Sequence, residues 1–223
     1  MAGTHYIGLE KKIPLTLLFR PGFPAWRAEG EMRIIGMLLG MAGLGMGAET
    51  CVVRVHVNNL FVAPPSALFQ AKSVAREMFG RIGVQVQWLG AAARDTDAGC
   101  WPPVEIDLEA GLPEADRPDS MAYATPYAEG RARIHVFVAR VASMVPANRM
   151  GILLGHVLVH EITHVLQGVS RHSGQGVMKA HWDIPDFRAM EMHTLPFDEL
   201  DVLLIHAGAR RSTVGEPLTS ANE

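Results

Sequence analysis

The residues with the most chemistry in this 223-residue chain are His160 and His164. They stand four apart in the run His160-Glu161-Ile162-Thr163-His164. On a helix, residues four apart share a face and are separated by about 6 Å along the axis. Two imidazoles so placed can converge on one tetrahedral zinc, with Zn–N bonds of roughly 2.0–2.1 Å. Glu161 follows the first histidine by one residue. From there it reaches a water acidified by the metal rather than the metal itself, and its carboxylate can take that water's proton. The bland alternative is a helix with two partly buried histidines and a surface glutamate.

The helix that must carry this motif is legible around it. Leu158, Ile162, Val165, Leu166 and Val169 recur at helical spacing, Pro146 and Asn148 mark a start with Asn148 as N-cap, and Gly168 marks the stop. His156 lies four residues before His160. A straight helix rises about 12 Å from His156 to His164, so the three cannot share one metal. His156 is therefore read as a supporting or packing residue. A third ligand must come from beyond Gly168, where glycine lets the chain turn back. His172 is the expected third ligand; Glu191, His181 and Asp183 are its rivals. Glu191 would suit a carboxylate ligand on a later helix, but its segment between Pro185 and Pro196 reads as too short for a secure helix. Trp182 is expected as a packing anchor; Tyr123 and Tyr127 could line a cleft but are expected as ordinary surface residues.

The run from His160 through Gly168, His172-Ser173-Gly174-Gln175-Gly176-Val177 to Met178 resembles the metzincin metallopeptidases, in which H-E-x-x-H is followed by a glycine turn, a third histidine and a methionine turn. It is similar, more closely, to secreted bacterial proteins with a glycine and H-S-x-x-G-I-M after the same motif. The specific part of the likeness covers residues 156 to 182. It implies His160, His164 and His172 as ligands of one Zn2+, Glu161 as catalytic base and Met178 as the turn methionine. It implies a peptidase acting on a peptide or protein substrate; the alternative is a zinc-binding module of zincin fold without hydrolytic activity. Two departures stand out: the loop has one extra residue on each side of its glycine, and Ala180 and His181 occupy the place where some metzincins have a tyrosine.

Upstream, valine-rich alternation predicts a strand over 52–57. A helix is expected over 66–79, then strands over 84–89, 104–108, 120–125 and 134–139, and a last amphipathic helix over 197–209. This order predicts an α+β, zincin-like domain: a mixed, mostly single sheet packed on two helices. The composition is 48% hydrophobic and 19% charged, which excludes a largely disordered chain. A net charge of −3 and the lack of a dense basic patch argue against nucleic acid as a partner. Cys51 and Cys100 are the two cysteines, and a bridge between them is favoured if the chain is exported. Export is suggested by the short uncharged run 34–46, which follows Arg33 and ends in small residues like a signal peptide. The expected organisation is an upstream segment over 1–31, a signal peptide over 32–48 and the zincin-like domain over 49–223. The mature protein would be secreted or periplasmic, with no membrane anchor left after cleavage.

Overall fold

A computed structural model describes residues 51–60, 62–90, 99–111, 120–128 and 131–214. The expected upstream segment and signal peptide lie outside these residues. Five strands form one sheet in the order β2-β1-β3-β5-β4. They are β1 (Cys51–Asn58), β2 (Val84–Leu89), β3 (Val104–Glu109), β4 (Ala122–Ala128) and β5 (Arg131–Phe137). The first four in that spatial order run parallel; β4 pairs antiparallel to β5 and closes one edge.

The sheet is apolar on one face only. On β3, Val104, Ile106 and Leu108 are buried, while Glu105, Asp107 and Glu109 alternate with them on the other face. There Arg133 of β5 binds Glu105 at 2.9 Å, and Nδ1 of His135 meets Glu109 at 2.6 Å. The apolar face takes α1 (Pro65–Arg81) and α3 (Met150–Gln167), which also pack on each other. Gly151 and Gly155 permit this close approach: a Cβ on Gly155 would lie 2.7 Å from Val74. α5 (Glu199–Val214) covers α3 from behind, so α3 is buried on nearly every side. Gly208 sets that contact, since a Cβ there would sit 1.9 Å from the Leu166 carbonyl oxygen. The expected α+β class with a single mixed sheet is found, but several helices, not two, build the domain.

Three local expectations are corrected. The strand over 134–139 ends at Phe137, and α2 (Val138–Met144) begins at once. Val138 and Val141, three apart and both buried, belong to a helical face that a continuous apolar run conceals. Asn148 does not cap α3; a 3-10 turn over Ala147–Arg149 leads into Met150 instead. The segment holding Glu191 is a true helix, α4 (Ile184–Met192). A reciprocal capping box between Asp183 and Asp186, with Pro185 in the first turn, starts it.

Cys51 and Cys100 form a disulfide with a Cα–Cα distance of 5.4 Å. No helix among the described residues is long and apolar enough to cross a membrane.

Candidate metal centre

The site is built on the last turns of α3 and the chain that folds back beneath them. Gly168 stops the helix in the left-handed conformation, with φ of 67°, and its N–H bonds to the carbonyls of His164 and Val165. Arg211 of α5 donates to the Gln167 carbonyl at 2.8 Å, placing a cation at the helix's negative end. The loop then carries His172 back to the helix. Arg171, its neighbour, is fixed by the fully buried Asp201 at 2.5 Å.

His160, His164 and His172 come together, each offering one ring nitrogen, with the three atoms within 4.8 Å of one another. The Nε2 atoms of His160 and His164 are 3.1 Å apart. Two nitrogens on a tetrahedral zinc would stand about 3.3 Å apart, from the bond lengths alone. The other ring nitrogens are already engaged: Nδ1 of His160 lies 2.9 Å from the Val177 carbonyl and Nδ1 of His164 lies 3.3 Å from that of Val169. A ring that donates Nδ1–H to a carbonyl keeps its Nε2 lone pair for a metal. Burial, reinforced by the neighbouring histidines, lowers the His160 pKa to about 3 and the His164 pKa to about 4. Both rings are thus neutral at neutral pH, the form that binds a cation. The donor set therefore fits a metal ion held by three imidazoles, with further positions left for water or substrate.

Glu161 is 8% exposed, and none of the described groups hydrogen-bonds its carboxyl. Burial pushes its pKa up to about 8. It faces a cavity of about 670 Å³ that the three histidines also line. Its lining includes Ser120–Ala124 at the β4 edge and Lys179, Ala180, His181 and Trp182 with Phe187 of α4. Arg140 and Met144 of α2 also line it. Tyr123 borders the cavity through the strand itself; its ring stacks on His135, with centroids 4.7 Å apart, on the polar face of the sheet. The side chain of Tyr127 lies outside the described residues.

Two of the rival ligands, Glu191 and Asp183, are employed elsewhere. Glu191 is exposed and sits 3.6 Å from Arg149. Asp183 caps α4 and binds Lys179 at 3.1 Å, and Asp186 also binds Lys179. His181 lines the cavity without joining the cluster. Trp182 both packs and lines the cavity: its ring stands edge-on to His160 at 5.7 Å. Met178 is buried at the end of a 3-10 turn, Gly176–Met178, that packs on α3. The Ser173 N–H donates to the Met178 carbonyl at 2.8 Å and closes the loop between them.

No protein-family model matches the chain, and no curated protein matches it. Among solved structures, it is similar to metalloproteinase-II from Bacteroides fragilis, at 10% identity and a TM-score of 0.44, covering 72% of this chain and 54% of that one. The chain thus spans about half the length of that metalloproteinase. It is also similar to a chain of the ECX AB5 holotoxin in its GM1-bound form, at 14% identity and a TM-score of 0.35, covering 72% of this chain and 79% of the other.

Proposed function

We propose that this chain is an exported zinc-dependent peptidase of zincin type, with His160, His164 and His172 as the metal ligands and Glu161 as the general base. The observation that carries the catalytic part is the placement of Glu161: a carboxyl with no partner among the described residues, one position past a ligand, facing the same cavity as the three histidines. A site that merely held a metal for structure would need no such group, and would more often be closed by four protein ligands.

When bound, zinc supplies Lewis acidity, which makes water more acidic and polarises a carbonyl. Glu161 takes the proton from the attacking water as its oxygen closes on the peptide carbonyl carbon. It then passes that proton to the leaving nitrogen as the C–N bond breaks. The cavity walls at β4 and at Lys179–Trp182 hold the substrate chain between them. The buried Met178, below the helix end, would play the part of the turn methionine. The Cys51–Cys100 disulfide supports an oxidising compartment, outside the cytoplasm.

A second reading is a metal-binding module of the same fold without hydrolysis. One observation favours it: with a pKa near 8, the Glu161 carboxyl is protonated at neutral pH and is no base. A cation at the histidines would draw that pKa down. The two readings part in one experiment. Metal content and turnover on a broad peptide library are measured on wild type and Glu161→Gln. Peptidase activity that falls by roughly 10²–10⁴-fold in the variant, at unchanged metal content, supports the enzyme. A metal-loaded wild type that cleaves nothing leaves the binding module.

A further inference from the structure

His156 is fully buried one turn before His160 and joins no metal cluster among the described residues. Its Nε2 accepts the backbone N–H of Leu195 at 3.2 Å, 39 residues downstream. That acceptor role leaves the ring proton on Nδ1, which lies 2.9 Å from the Ile152 carbonyl and donates to it. Both ring nitrogens are thus committed, and the ring clamps the chain at Leu195 to the middle of α3.

The next residue continues the connection. The carbonyl of Pro196 accepts the N–H of Val177 at 2.9 Å. The carbonyl of Val177, on the other side of the same residue, accepts Nδ1–H of His160 at 2.9 Å. Gly176, at φ of +71°, lets the turn come this close: a Cβ there would stand 2.2 Å from the Pro196 oxygen. An unbroken series of bonds therefore leads from His156 through Leu195, Pro196 and Val177 to the ring of His160.

We infer that His156 is a positioning residue for the metal centre: by holding Leu195–Pro196 it holds Val177, whose carbonyl sets the orientation and tautomer of His160. The inference rests on the reading that His160 ligates a metal. Partners that orient a ligand ring typically change metal affinity by 10–100-fold when removed. His156 also meets the Trp182 ring edge-on at 6.4 Å, and Trp182 in turn meets His160, so the ring has a second, packing route to the same ligand.

The test uses Co2+, whose visible spectrum reports ligand geometry, added to the metal-free full chain. His156→Leu keeps volume but offers nothing to the Leu195 N–H. His156→Gln keeps an acceptor at similar reach, and Leu154→Ala is a control that damages the α3 core away from this series of bonds. Affinity, spectrum and melting temperature are measured for each. The expected result is that His156→Leu binds cobalt at least 10-fold more weakly with an altered spectrum. His156→Gln should recover most of both, and Leu154→Ala should lower melting temperature with a wild-type spectrum. If His156→Leu does not fold, His156→Asn replaces it, because the shorter amide stops short of Leu195. A wild-type affinity and spectrum in the variant lacking the acceptor overturn the inference, as does a loss that Leu154→Ala reproduces at equal destabilisation. A wild-type chain that takes up no cobalt overturns the metal reading itself, and this inference with it.

Discussion

Arg171 and Asp201 are joined across 30 residues of sequence by a 2.5 Å ion pair, and the carboxylate end of that pair is completely buried. Asp201 also accepts from Gln167 at the end of α3 and from the backbone of Asp198, so one side chain ties the start of α5 to both ends of the turn around Gly168. His172 is the next residue after Arg171. The third histidine of the cluster is exposed and lies on a loop, and this pair is what restrains that loop.

Asp201→Ala should therefore cost both stability and metal affinity. Removing one partner of a buried pair costs roughly 3–5 kcal/mol, and the partial exposure of Arg171 brings the expectation to about 2–3 kcal/mol. Urea denaturation of the metal-free protein measures the first effect and chelator competition the second. A variant that is destabilised but binds zinc as tightly as wild type would show that the loop needs no such anchor.

His172→Ala should weaken zinc binding by at least about 100-fold, as expected when one of three protein ligands is lost. Glu191→Ala should leave it unchanged, because Glu191 is exposed on α4 beside Arg149. Competition with a chromogenic chelator reads both. The opposite pattern would transfer the third ligand to a carboxylate.

The convergence of the two helical histidines was readable because it depends only on a spacing of four within one helix, and Gly168 marked where that helix ends. The third histidine was readable as a candidate, since a short loop bounds where it can go. The cavity walls were not. The strand edge over Ser120–Ala124 reaches the site through strand order and an antiparallel pairing, which no local pattern in β4 encodes. Helix α4 was missed although its signal is present in Asp183-Ile184-Pro185-Asp186, a capping box with proline in the first turn. Its short length between two prolines outweighed that signal. The contact of His156 with Leu195 spans 39 residues and uses a backbone N–H, so the side-chain sequence carries no trace of it.

The disulfide closes a loop across a sequence separation of 49 and ties the first residue of β1 to the segment before β3. The Cys100 N–H also bonds to the Val52 carbonyl at 3.1 Å, so the two ends would still meet after reduction. Cys51→Ser/Cys100→Ser should fold, but with stability lowered by roughly 3–4 kcal/mol on the chain-entropy account. Calorimetry of the double variant against the oxidised protein checks this; equal stabilities would mean that the bridge constrains nothing the fold does not already constrain.

The metal-free protein should be most stable near pH 6.5 and lose stability on both sides, for opposite reasons. His160 and His164 have folded pKa values of about 3 and 4 against an ordinary 6.5, so the unfolded chain takes up protons first as pH falls. Their contribution is complete above pH 6.5 and is lost as pH falls towards 4 and 3. Burial of His156 lowers its pKa too and acts in the same direction. Glu161 has the opposite sign. Its folded pKa of about 8 against an ordinary 4.5 means that the folded chain keeps a proton which the unfolded chain releases. Its contribution is complete below pH 4.5 and is lost as pH rises to 8. Between pH 4.5 and 6.5 these three histidines and His172, whose pKa burial also lowers, act against one glutamate, so stability still rises with pH. Past 6.5 the unfolded-state histidines lose the last of their protons and their effect fades, and Glu161 makes stability fall. Melting temperatures of chelator-treated wild type and Glu161→Gln, scanned from pH 4 to 8.5, separate the two sides. The glutamine variant should keep the acid slope and lose the decline between 6.5 and 8. A decline of equal steepness in both proteins would place its source in some group other than Glu161.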